Sequence, residues 1–299
     1  MLNARSKSLI HLHFLVFIWG FTSILGALIQ KSSFEIVWFR VVIATILIAL
    51  YFIFLKPSLF KVTPKAMLSF FLGGLLISVH WILFFHAIKI SSVSITLSVM
   101  SSASLMTSIL EPIFYKRRIR PYEVFFGIFV VLGLSLIFKA EQNSSLGIYI
   151  ALLSTLLSVL FTLLNGKLIK HYEATSISFY QLLMGGVSLS LWLIFTMDIP
   201  ENFFGWSLND SLWMFILASI CTAYAFIASV EIMKELSPYT IMISLNMEPV
   251  YAILFSIYIF GEKEIMSFNF YVGVLIILIS VLGNGIYKAR KLKKTSSNY

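Results

Sequence analysis

Charge is scarce in this sequence, and cysteine nearly absent: Asp, Glu, Lys and Arg together make up 12% of 299 residues, and there is one Cys. Cys221 lies inside an apolar segment. A single buried thiol excludes both a disulfide framework and a cysteine-based metal site. So few charges could not cover the surface of a soluble domain of this size. No polar stretch is long enough for a soluble catalytic or nucleotide-binding domain either, the longest break between apolar runs extending from about Asp198 to Asp210. Specific motifs are missing too: there is no His-Glu-x-x-His, no Gly-x-Ser-x-Gly and no phosphate-binding Gly-x-x-x-x-Gly-Lys-Ser/Thr loop. His11 and His13, two residues apart, cannot share a helix face. Metalloprotease, serine-hydrolase and ATP-pump chemistry are thereby set aside, and no cofactor is indicated.

Hydrophobicity fills what charge leaves. The chain is 59% hydrophobic, with a mean hydropathy of +0.95. Apolar runs fall at 9–29, 35–55, 66–88, 92–115, 120–138, 146–168, 175–196, 211–233, 237–260 and 266–287. Each is long enough to cross a hydrocarbon layer of about 30 Å as a helix. None alternates with period two, which excludes a β-barrel. The first run follows Arg5 and Lys7 as a signal peptide would. It is too long for one, and Gln30-Lys31 follows without a small-residue cleavage site. It reads as a retained first helix.

The basic residues are segregated. Of 22 Lys and Arg, alternate gaps collect Arg5 and Lys7; Lys56, Lys61 and Lys65; Lys116, Arg117, Arg118 and Arg120; Lys167 and Lys170; Lys234; and the tail from Lys288 to Lys294. The other gaps hold only Lys31, Lys89, Lys139 and Lys263. Cytoplasmic loops retain positive charge, so both termini are expected in the cytoplasm. The net charge of +9, so distributed, suits an anionic inner leaflet and not nucleic acid. The expectation is an integral, multi-pass protein of a bacterial-type inner (plasma) membrane.

The chain also resembles itself. The run from Arg117 to Gly127 lies over that from Lys263 to Gly273, and Ser91-Ser92 lies over Ser237-Pro238. Two halves, 1–140 and 141–299, each carry five spans. Five is odd, so the second half must insert upside down relative to the first. Inverted repeats are the sequence correlate of alternating access around a midplane site. The fold class expected is all-α: ten transmembrane helices as two inverted five-helix repeats.

Phe260-Gly261-Glu262, Gly273 and an apolar span beyond it, and Glu248-Pro249 in the ninth span are similar to the EamA-type signature. The chain resembles the ten-helix EamA branch of the drug/metabolite transporter superfamily over essentially its whole length. That resemblance implies export or exchange of small metabolites, amino acids among them. The first half departs from the pattern. Lys116 stands where a glutamate is expected, Ala103 stands opposite Pro249, and Glu111-Pro112 is out of register.

An ionisable group near a helix centre costs roughly 2.5–3.5 kcal/mol on insertion scales, so each one needs a reason. Glu248 lies near the middle of the ninth span, beside Asn246 and Pro249. The proline frees the carbonyl of Leu245, and a carboxylate beside a broken ladder suits a proton or a substrate amine. A carboxylate held for packing is the plainer alternative. Arg40, in the second span, suits a substrate carboxylate or phosphate, or else snorkels outward. Glu35 is poorly spaced to partner it. His80 and Phe84 share a face of the third span, with Trp81 between them. His80 could bind substrate or relay a proton, while His86 reads as interfacial.

Gln181, opposite Arg40 in the repeat, and Asn165 are weaker cavity candidates. The hydroxyl-rich fourth span (Ser94 to Ser108), Gly73-Gly74 and Gly185-Gly186 read as helix packing. Glu111 and Glu231 read as interfacial ion pairs with Lys116–Arg118 and Lys234. Trp19, Trp38, Trp192, Trp206 and Trp213 read as an aromatic belt.

The function expected is secondary transport of a small metabolite, with the bilayer and protons as the other partners and a monomer sufficient. A channel-like facilitator and, more remotely, a membrane-embedded enzyme are the rival classes. A carrier saturates and counter-exchanges, a channel does not, and an enzyme consumes its substrate.

Overall fold

The computed structural model describes residues 3–55, 62–116, 118, 121–196 and 199–296, and the chain is helical almost throughout. Lys56, Lys61, Arg117 and Arg120 of the basic gaps lie outside the described residues. Helix α1 is Ala4–Leu28, α2 Ser33–Leu55, α3 Pro64–Ile90, α4 Val93–Met100, α5 Ala103–Tyr115 and α6 Pro121–Ala140. Helix α7 is Ser145–Leu168, α8 Ala174–Thr196, α9 Leu208–Ala218, α10 Ala225–Glu231, α11 Pro238–Leu245, α12 Glu248–Phe260 and α13 Phe268–Ser296. Among the described residues nine helical segments are long and apolar enough to cross a bilayer, and Phe125–Ala140 is a shorter apolar helix. The outer surface is apolar as lipid requires: Phe54, Phe195, Leu254 and Tyr258 all stand exposed.

Helix starts follow from capping. Asn3, Ser92, Ser207 and Ser237 each accept a backbone N–H of the first turn through the side chain. Across the repeat, Glu264 adds a second cap to α4, its two carboxylate oxygens accepting the N–H groups of Val93 (3.0 Å) and Ser94 (2.9 Å). This buried acid is therefore spent on orphan helix donors.

Two spans are broken. The ninth divides between Leu245 and Glu248, where Pro249 cannot donate to the ladder. Asn246 Nδ2 fills part of the break by donating to the carbonyls of Met242 (2.8 Å) and Ile243 (3.0 Å). The fourth divides at Ser101–Ser102, with no proline present. The offset that lays Arg117 over Lys263 lays Ser102 over Glu248, so both halves break at the same place. A third irregularity is a π-helical stretch, Ser219–Tyr224, in the eighth span.

Close helix crossings rest on glycine. At the α6–α13 crossing a Cβ on Gly133 would come within 2.8 Å of the Gly273 carbonyl, and the reverse holds equally. At the α3–α8 crossing a Cβ on Gly74 would strike the backbone of Gln181 and the N of Gly185, and one on Gly185 would strike Ser78. These contacts account for Gly73-Gly74, Gly185 and Gly273 as packing residues. Gly261 has φ +61°, the left-handed region, and ends α12. Several hydroxyls of the fourth span turn back on their own helix: Ser98 donates to Ser94 O (2.7 Å) and Thr107 to Ala103 O (2.7 Å).

Candidate functional site

A cavity of about 100 Å³ lies between the repeats. About 10–15 Å³ of such volume holds one water, so this is room for a small organic molecule or several waters. The first repeat contributes Arg40 from α2, His80, Trp81 and Phe84 from α3, and Trp19 and Thr22 from α1. The second contributes Glu248 at the head of α12, Cys221 from the π-helical stretch, and Ser158, Thr162 and Ser229. The remaining wall is mainly Met, Phe and Ile. Five of the residues singled out in the sequence thus meet on one cavity: Glu248, Arg40, His80, Trp81 and Phe84.

Arg40 is 1% exposed, which corrects any snorkelling to the interface. Its Nε donates to Thr222 Oγ1 (2.5 Å), and Nη2 donates to the Cys221 carbonyl (3.3 Å). The π-helical stretch makes this possible by turning both groups toward α2. Such stretches are rare and recur at functional sites. The guanidinium lies over the Trp81 ring, 3.9 Å from its centroid, a cation–π stack that fixes its plane. Nη1 is buried with no hydrogen-bond partner. Among the described residues no carboxylate pairs with Arg40; Glu35 pairs instead with Lys31 at 3.2 Å.

On the opposite wall Glu248 is buried, and none of the described residues gives it a hydrogen bond or an ion pair. His80 is held from one side. Its Nδ1 lies 2.9 Å from Ser154 O, and Ser154 Oγ donates to the His80 carbonyl at 2.9 Å. With Nδ1–H donating to Ser154 O, Nε2 is left as an acceptor. Phe84 stacks on the imidazole at 6.1 Å.

Two candidates stand elsewhere. Gln181 is fully buried under the α3–α8 glycine crossing, its Nε2 donating to Asn165 Oδ1 at 2.7 Å. Asn246 is turned back on α11, as above. Neither lines the cavity: the Asn246 Nδ2 is taken up by carbonyls of α11 and the Gln181 Nε2 by Asn165, while both amide oxygens are buried without a partner. Trp19, expected in the belt, lines the cavity instead. Glu231 pairs with Lys234 at 2.8 Å as expected, and Lys234 also reaches Glu173 at 3.5 Å. Thr22, Thr222 and the Cys221 carbonyl carried no sequence signal: small residues in apolar helices look alike whether they pack or face a cavity.

The fold and this cavity define the class: a polytopic helical membrane protein whose two halves enclose a polar site. The model of the EamA-like transporter family matches residues 7–139 and again 145–286. The chain belongs to that family, a membrane transporter family within the drug/metabolite transporter superfamily. A solved crystal structure of a protein is similar over 94% of this chain and 96% of its own, with a TM-score of 0.68 at 14% identity. That likeness concerns the fold. No curated protein matches the sequence.

Proposed function

We propose that the protein is a secondary transporter that exports or exchanges a small metabolite, such as an amino acid, by alternating access. Its two halves, 1–140 and 141–299, are inverted relative to each other and move about the cavity. Both termini face the cytoplasm, the membrane is a bacterial-type plasma membrane, and a monomer suffices. One observation carries the reading: a cationic and an anionic side chain, from different repeats, line one buried cavity, and among the described residues neither has a counter-ion. Charges so placed are costly in a membrane unless a ligand or a proton completes them.

Glu248 is the coupling or amine-binding carboxylate. Its place at the first residue of a half-helix, in a span broken in both repeats, is where discontinuous helices put coupling sites. Arg40 or His80 meets the anionic or polar end of the substrate, and Trp81 and Phe84 supply apolar contact.

The test is efflux from proteoliposomes loaded with amino acids and central metabolites, read by mass spectrometry with and without an inside-acid gradient. Saturable release of one chemical class, stimulated by the same class outside, is the expected result. Release that rises without saturation would favour a facilitator. Consumption of a loaded compound would point to an enzyme, and release no greater than from empty liposomes would count against transport of this pool.

A further inference from the structure

The charge count of the cavity restricts what it can hold. Its lining carries one fixed cation, Arg40, and one acid, Glu248; the other polar side chains are hydroxyls, a thiol, the indoles of Trp19 and Trp81 and the His80 imidazole. Of the two candidates for the anionic end, His80 is the weaker, since its Nδ1 is engaged by Ser154 and its remaining nitrogen accepts. Arg40 has a free edge. Nε and Nη2 are bonded to the protein, the ring of Trp81 covers one face, and the N–H groups of Nη1 have no acceptor. A second hydroxyl lies nearby: Thr22 lines the same cavity, and its buried Oγ1 has only the weakly bonding Cys221 thiol beside it. Thr22 and Arg40 both flank Cys221. A guanidinium N–H without an acceptor is costly when buried, and a hydroxyl bonded only to a thiol has an acceptor to gain.

We infer that Arg40 Nη1 and Thr22 Oγ1 together form the docking point for a single carboxylate, so the cavity selects molecules bearing one carboxylate. It rejects their carboxamides, dicarboxylates and phosphate esters. The inference rests on the reading of this cavity as the substrate site. A monoanion neutralises Arg40; a dianion would leave an uncompensated charge amid the Met, Phe and Ile walls. A carboxamide presents an N–H face where Nη1 requires an acceptor and gains no charge-assisted bond. The amine of a zwitterion would face Glu248. An acid lacking the amine would face the same group carrying a proton.

Binding is measured on the full-length protein in nanodiscs by calorimetry. The probes are phenylalanine, phenylalaninamide, 3-phenylpropanoate, succinate and glycerol phosphate. Phenylalanine should bind about tenfold or more tighter than its amide, and 3-phenylpropanoate should bind and compete with it. Succinate and glycerol phosphate should not compete. Thr22→Val and Arg40→Gln should each bring the acid-to-amide ratio toward one. Arg40→Lys, which keeps the charge but loses the planar fork, guards against misfolding of the glutamine variant. Equal binding of acid and amide, competition by succinate, or no binding by any probe would overturn the assignment. Selective acid binding without flux would spare the subsite and remove the carrier reading; flux of amides as fast as acids would do the reverse.

Discussion

Glu248 and Arg40 face opposite demands. Neither has a counter-ion among the described residues, and a buried charge without one destabilises the folded state, so an uncharged replacement of Glu248 would serve stability. Their roles are therefore expected to separate in a variant. Glu248→Gln should leave the thermal unfolding midpoint in detergent unchanged or raised, while lowering substrate flux by about tenfold or more, the scale of one lost charged contact. Parallel loss of both would make Glu248 a structural residue. The carboxylate was legible in the sequence because an acid deep in an apolar span is conspicuous. Arg40 was legible for the same reason, but its partners were not. Thr222 reaches it because the hydroxyl is turned by its own bond to the Leu217 carbonyl, five residues back. That geometry arises only when α2 packs beside the eighth span. Gln181 misled because an amide in an apolar helix reads alike whether it faces a cavity or another amide.

Elements show the same division between what pattern reveals and what packing decides. The break before Glu248 is announced by Pro249. Its counterpart at Ser101–Ser102 carries Ala103 in that place, so nothing local foretold it. Glycine pairs, by contrast, behave as their spacing suggests, and they differ sharply from one another. Gly74→Ala drives a Cβ into backbone atoms of Gln181 and Gly185 that cannot move independently, and should cost about 1–3 kcal/mol. Gly186→Ala meets only a side-chain methyl of Val41 at 3.3 Å and should cost far less. Denaturation of the two variants in one detergent checks the contrast; equal losses would mean that the α3–α8 crossing is not as close as described. At the end of α5, Lys116 holds φ 55°, a left-handed cap that costs a non-glycine residue roughly 1 kcal/mol. Lys116→Gly is therefore expected to raise the unfolding midpoint by a few degrees, and a fall would show that the lysine side chain contributes more than its backbone costs.

At the scale of the whole molecule, hydropathy and the segregation of Lys and Arg made the membrane class, the span pattern and the repeat readable, because the bilayer imposes length and sidedness on every helix. The cavity was not readable as a cavity. It is assembled from seven of the spans, and Trp19 looked like a belt residue until α1 was packed beside α12. Its sole thiol supplies a reporter that needs no engineering: Cys221 is the one cysteine of the chain and lines the cavity. A charged methanethiosulfonate that does not cross lipid can be applied to right-side-out or inside-out vesicles, with Cys221→Ser as the blank and Thr162→Cys in that background as a second reporter. The account predicts modification from each face, and that a transported substrate added on one side raises one rate while lowering the other. Modification from one face alone, or two rates that rise and fall together, would contradict alternating access around this site.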